Sequence, residues 1–224
     1  MQGLTLGGVG KGTTISHVEI VASNDDGIEI FGGTVDISNI VIGYQRDDAF
    51  DIDQNYTGTV NNLVGIAGAD TRTSDPAMFE LDGPEVSGVN DGGQFSFTNG
   101  VFFNENDGDI YAIYMKSDAP KAILSDLAFI DYGTIPQIGY RTGIENVNDG
   151  SFRVVNTTFD GALSLADRNG AALDPMSQDF IDLKASLTKV ENANEFSTTP
   201  ATYPVDLSIF EGWSWMWESV LKNK

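Results

Sequence analysis

Residues 15–31 read ISHVEIVASNDDGIEIF, and residues 37–53 read ISNIVIGYQRDDAFDID. The two stretches align at an offset of 22 without a gap. Ile15 falls on Ile37, Ser16 on Ser38, His17 on Asn39, Val18 on Ile40 and Ile20 on Ile42. Asp25-Asp26 falls on Asp47-Asp48, Ile28 on Phe50, Glu29 on Asp51 and Ile30 on Ile52. Fixed-period self-similarity of this kind marks a repeat architecture. Each unit holds brief alternating runs of β-branched and aromatic residues broken by Gly, Asn and Asp, which is strand-and-turn chemistry with no room for a crossover helix.

The pattern extends in both directions. Gly3-Leu4-Thr5-Leu6 echoes Gly27-Ile28-Glu29-Ile30, and Met78-Phe79-Glu80-Leu81-Asp82 echoes Ala49-Phe50-Asp51-Ile52-Asp53 after an insertion. Phe95–Phe103, Ile110–Met115, Ile123–Ile130 and Phe152–Phe159 read as further coils. A sandwich also uses short strands, but it does not require residue-for-residue register between units, whereas a stacked coil does. The spacing predicts an all-β fold, a single-stranded parallel β-solenoid over residues 1–168. Residues 169–224 lose the repeat and read as an irregular segment packed on the solenoid, with a short helix over Gln178–Lys189. The first strand, Leu4-Thr5-Leu6, matches the end of a repeat. The chain is therefore expected to start in mid-coil, leaving an open edge for continuation or pairing.

Composition narrows the function classes. With 33 Asp+Glu against 12 Lys+Arg the formal net charge is −21, which argues against a nucleic-acid partner. There is no cysteine, so thiol nucleophiles, disulfides and Cys-ligated metals are excluded, and His17 is the single histidine. Met1–Leu6 has neither the basic nor the apolar region of a signal peptide. No run of 18 apolar residues occurs, so no membrane insertion is expected.

The runs LTLGGVGKGTTISHVEI, NDDGIEIFGGTVDISNIV and RDDAFDID resemble a family of secreted or surface-attached bacterial β-helix proteins of mostly unknown function, from Bacteroidetes and marine Gammaproteobacteria. The close likeness covers residues 3–66 and the GW-W ending. It implies a right-handed β-helix, an extracellular or outer-surface location and a further stretch upstream. It implies no catalytic residues.

Alternation in GIEIF, AFDID and MFELD turns Ile28, Ile30, Phe50, Ile52, Phe79 and Leu81 inward, and Glu29, Asp51 and Glu80 outward on one face. Stacked coils place such carboxylates about 4.8 Å apart, where two charges repel by roughly 1–3 kcal/mol. Asp25-Asp26 over Asp47-Asp48 repeats the problem in the adjoining turn, and Asp53 over Asp82 adds to it. Raised carboxyl pKa values or a hard cation such as Ca²⁺ relieve it; a hydrated acidic face is the plainer alternative. The candidate metal ligands are Asp25, Asp26, Glu29, Asp47, Asp48, Asp51 and Asp53.

For catalysis the weaker candidates are Asp47 and Asp48, with Arg46 as a base in a polysaccharide lyase, or the carboxylates alone in a glycoside hydrolase. His17 sits where a solenoid turns and reads as part of an Asn ladder. GGVGKGTT at Gly7–Thr14 lacks the spacer of a phosphate loop, and no organic cofactor is expected. Trp213, Trp215 and Trp217 read as rings flanking the solenoid or as a sugar-stacking platform. The functional expectation is a non-catalytic extracellular module whose acidic, Ca²⁺-binding face meets a polysaccharide or cell-surface component. A carbohydrate-active enzyme and a structural spacer are the alternatives.

Overall fold

The computed structural model describes residues 1–71, 75–84, 93–106, 110–117, 120–132, 138–141, 147, 149–160, 164–167, 171–174, 176–179, 181, 184, 187–188, 191–192 and 202–224. In chain order the strands are Leu4–Gly7 (β1), Ile15–Val21 (β2), Ile28–Phe31 (β3), Ile37–Gly43 (β4), Phe50–Asp53 (β5), Thr59–Ala67 (β6), Ala77–Asp82 (β7) and Phe95–Asn104 (β8). They continue as Tyr111–Ser117 (β9), Ala122–Ile130 (β10), Ile138–Tyr140 (β11), Phe152–Val155 (β12), Thr158–Phe159 (β13), Leu165–Ala166 (β14), Leu187–Thr188 (β15) and Glu191–Asn192 (β16). The short odd-numbered strands β1 to β11, followed by β14, stack in parallel as one sheet. The longer β2, β4, β6, β8, β10 and β12 stack as the other, joined by β15, while β13 pairs with β10 and β16. This is a parallel β-helix. No described helix is long and apolar enough to cross a membrane.

The pairing register is the one the repeat predicts. Ile15 pairs with Ile37, Ser16 with Ser38, Val18 with Ile40 and Ile20 with Ile42. In the other sheet Ile28, Glu29 and Ile30 pair with Phe50, Asp51 and Ile52, which pair in turn with Phe79, Glu80 and Leu81. Inward side chains therefore stack like on like. The Phe50 and Phe79 rings lie 5.5 Å apart and 12° from parallel, and Phe129 and Phe159 lie 4.9 Å apart at 7°. Such pairs add about 0.5–1.5 kcal/mol beyond area burial.

Each long strand bends at one residue that the pairing skips. His17, Asn39, Asn62, Asn99, Asp126 and Asn156 occupy the bends with φ between 50° and 59°, a region that Asn and Asp tolerate better than most side chains. Their side chains link neighbouring coils. Asn39 Nδ2 meets His17 Nε2 at 3.3 Å, Asn62 Nδ2 donates to Asn39 Oδ1 at 2.9 Å, and Asn156 Nδ2 donates to Asp126 Oδ1 at 2.5 Å. His17 is thus the first rung of the ladder.

The C-terminal segment runs along the side of the solenoid. Val205, Phe210, Met216 and Leu221 pack on the outward residues Val41, Val64, Val101 and Ile130. Glu19 on β2 fastens it, accepting from Ser214 Oγ at 2.5 Å and from the backbone N–H groups of Trp215 at 3.0 Å and Met216 at 2.9 Å. Trp213 and Trp217 are half-buried in this contact, and Trp215 alone of the three is exposed, at 61%. The rings flank the solenoid and do not share one open face. Of the helix expected over Gln178–Lys189, Gln178, Asp179, Ile181 and Lys184 are helical, while Leu187–Thr188 forms β15 beside Val154–Val155; the rest of that stretch lies outside the described residues. At the other end β1 and β2 are sheet edges, where Leu4, Ile15, Val18 and Ile20 are only partly covered.

Replacing Asn39 separates the two demands on a rung. Asn39→Ala loses the ladder bonds and places a less tolerant residue at φ 56°, so it should cost about 1–3 kcal/mol. Asn39→Gly loses the bonds but relieves the backbone, and should cost less. Urea unfolding midpoints of the two variants check the order.

Candidate functional site

Sheet stacking sets the site. Glu29 on β3, Asp51 on β5 and Glu80 on β7 are register partners, so their carboxylates form one column on the outer face. Tyr114 on β9 follows Glu80 and ends the acidic run. The turn before each strand brings a second set. Asp26 and Asp48 tuck in and receive backbone N–H groups of the next coil: Asp48 N donates to Asp26 Oδ1 at 3.3 Å, and Ala77 N to Asp48 Oδ1 at 2.6 Å.

Three overlapping triads result. Asp25, Asp26 and Asp47 form one, Asp26, Glu29 and Asp51 another, and Asp48, Asp51 and Glu80 the third. Within each triad one carboxylate oxygen per residue lies within 4.8 Å of the others. Asp51 belongs to two of them, and its Oδ1 is enclosed with no hydrogen-bond partner. Of the seven metal-ligand candidates, six enter these triads. Asp53 stands two residues along β5 from Asp51, where its Oδ1 accepts from Gln54 N at 2.8 Å, and Glu80 is the added member.

The face is acidic but much of it is not hydrated. Asp26, Asp48 and Glu80 are 5%, 3% and 2% exposed. Burial, then the charges of Glu80, Asp26 and Asp82, pushes Asp51 up to about 9. Burial raises Asp26 to about 6 against the pull of the Asp48 N–H. It raises Asp82 to about 6 despite the bond from Ser117 Oγ at 2.7 Å. Asp48 is raised well above the usual range by burial, with Glu80 adding to it, and Glu29 is raised by burial and by Asp26.

Among the described residues one cation stands in the row, and it is not the arginine expected beside it. The strand pairing slips between Leu81 and Asp82, so that Leu81 pairs with Met115 and Asp82 with Ser117. Lys116 is the extra residue of this β-bulge, a device that re-aims a side chain. Its ammonium donates to Glu80 in an ion pair. Burial alone would lower the Lys116 pKa, but the bond to Glu80 and the charges of Glu80, Asp82 and Asp51 outweigh that and hold it above the usual range. Arg46 turns elsewhere, its Nη1 donating to Asn24 Oδ1 at 3.1 Å. The alignment of Ile113 and Met115 with Phe79 and Leu81 brings Lys116 to this face, at the step where the register slips.

Chemically, the column offers hard oxygen donors around an unbonded carboxylate oxygen, the donor type that Ca²⁺ prefers. A family model described as a pectate-lyase-like β-helix domain matches residues 1–215. No curated protein and no solved structure matches the chain.

Raised carboxyl values give the free protein a definite pH response. Folding takes up protons wherever the pH lies between the ordinary carboxyl range and the folded-state values of about 6 to 9. That contribution is present at acid pH and lost as pH rises through those values. In EDTA, Tm should fall by about 5 °C or more between about pH 5 and pH 8.5, the size expected from roughly 2 kcal/mol in a chain this long. Asp51→Asn should flatten the slope and raise Tm at the alkaline end, measured by differential scanning calorimetry.

Proposed function

The chain belongs to the pectate-lyase-like β-helix domain family, and on that scaffold we propose an extracellular, non-catalytic module whose carboxylate column takes up Ca²⁺ and presents it to a polysaccharide or another cell-surface component. The observation that carries this reading is Asp51, which belongs to the triads of both Asp26–Glu29 and Asp48–Glu80 and whose Oδ1 is buried without a hydrogen-bond partner. A buried carboxylate without a donor is costly. A divalent cation relieves that cost and the mutual repulsion together, since Ca²⁺ gathers six to eight oxygens from carboxylates, backbone and water.

Among the described residues the basic groups expected to serve a lyase are engaged elsewhere, which favours contact over lyase cleavage. Lys116 faces the row but holds its proton through Glu80, His17 belongs to the ladder of the other sheet, and Arg46 bonds to Asn24. A protonated Lys116 and a bound cation together offset much of the column's negative charge, which eases the approach of a sugar surface.

Hydrolysis is the second reading, favoured by one specific pair. Asp51 at about 9 and Asp26 at about 6 have oxygens within 4.8 Å, and two carboxyl groups with separated pKa values are the elements of a general acid and its partner. On that reading EDTA-treated protein releases reducing ends from a polysaccharide and Asp51→Asn abolishes the release.

For the module, millimolar CaCl₂ at matched ionic strength should raise Tm by about 5 °C or more over EDTA, in keeping with roughly 2–3 kcal/mol of linked binding. Asp51→Asn and Glu29→Gln should each remove most of that gain. An unchanged Tm would sink the cation reading and leave the acids as surface of a structural spacer.

A further inference from the structure

A cavity of about 400 Å³ lies at the other end of the same turns, lined by Ala22, Ser23, Asn24, Tyr44, Arg46 and Asp70. Its volume falls in the lower part of the roughly 300–1,000 Å³ range of small-molecule clefts. Three successive coils contribute one wall each, and every polar group that faces it has a fixed origin. Arg46 is tied by its backbone N–H to Ser23 O at 3.1 Å and by Nη1 to Asn24 Oδ1 at 3.1 Å. A guanidinium carries five N–H donors, and among the described residues Arg46 makes no ion pair. Asp70 lines the same cavity without closing onto it.

The aromatic wall is rigid. Tyr44 sits at φ 59° and Ala22 at φ 58°, a backbone region in which a bulky side chain is strained. Gly68 lies against the Tyr44 ring, where a Cβ would collide with Cδ1. The Tyr44 hydroxyl donates to Glu105 Oε2 at 3.4 Å, and Lys224 Nζ holds the other oxygen of that carboxylate at 2.6 Å. The ring is therefore held edge and tip.

We infer that this cavity is a saccharide subsite for one neutral pyranose unit, stacked on Tyr44 and hydrogen-bonded through adjacent hydroxyls to Arg46 and Asp70. The inference rests on the glycan-contact reading above and names the sugar it would take. Planar groups with paired donors or acceptors match neighbouring hydroxyls, while the apolar face of a sugar ring suits an aromatic surface. Charge decides against an acidic sugar. The cavity's cation and anion, Arg46 and Asp70, balance each other, and the surrounding chain carries −21, a field that opposes an anionic ligand and leaves a neutral one untouched. The placement also suits a chain of sugars. Asn24 and Arg46 directly precede Asp25-Asp26 and Asp47-Asp48, so a saccharide lying along the turn would pass from this cavity to the carboxylate column.

The test is calorimetric titration of the full chain in EDTA with neutral trisaccharides of gluco, galacto and manno configuration, and with trigalacturonate. At least one neutral trisaccharide should bind saturably, and trigalacturonate at least about tenfold more weakly. Arg46→Gln and Asp70→Asn should each weaken the neutral ligand by about tenfold or more, equivalent to about 1.4 kcal/mol, with Tm unchanged and the calcium-linked rise in Tm intact. No saturation by any neutral trisaccharide, or tighter binding of trigalacturonate, would overturn the subsite. Calcium stabilisation persisting beside that result would leave the cation reading standing, whereas sugar binding without calcium stabilisation would support the subsite alone.

Discussion

The hydrogen-bond ladder between coils sets paired residues over their repeat partners at a strand spacing of about 4.8 Å, and the core, the bends and the acidic column follow from it. Similar chemistry then meets similar chemistry wherever the repeat is kept. Inside, that is favourable, as with Ile30 over Ile52 and Phe50 over Phe79. At the bends it is favourable again, because an amide carries both a donor and an acceptor and Asn62 can bond to Asn39. On the outer face of the short-strand sheet the same rule stacks Glu29, Asp51 and Glu80, and there it is opposed by their charge.

The fold answers that opposition locally. Lys116 is delivered by a bulge to Glu80, Ser117 bonds to Asp82, and backbone N–H groups meet Asp26 and Asp48. Asp51 receives none of these. It is the point at which a scaffold of favourable stacking carries an unresolved interaction, and so the point at which the proposed cation would contribute most. Elsewhere the outward residues Val41, Val64 and Val101 would expose a broad apolar strip, and the C-terminal segment covers it.

How much of this was legible depends on sequence separation. The gap-free 22-residue register gave the strand pairing, the inward faces and the ladder position of His17, since all are local consequences of the period. The stack of Glu80 on Asp51 was also readable, through MFELD against AFDID. Burial of the acids was not, because alternation tells which side of a strand a residue faces and not what packs over that side. The outward side of Lys116 was legible too, since it follows inward Met115, but its pairing with Glu80 was not, because the bulge moves the partner of Asp82 on to Ser117. The clasp of Glu19 on Ser214 joins residues 195 positions apart with no repeat relation, so no periodicity could announce it. Arg46 was read beside the acids from its place in the chain, whereas its side chain takes the opposite course, towards Asn24.

The proposed cation site centred on Asp51 is open to direct observation. A crystal soaked in Tb³⁺, a Ca²⁺ surrogate with strong anomalous scattering, tests it most directly. The expected result is an anomalous peak within about 2.3–2.6 Å of an Asp51 carboxylate oxygen, the calcium–oxygen range, shared with oxygens of Asp26 and Glu29 or of Asp48 and Glu80. An ordered Asp51 with no peak beside it, in a crystal that binds the ion elsewhere, would overturn the site.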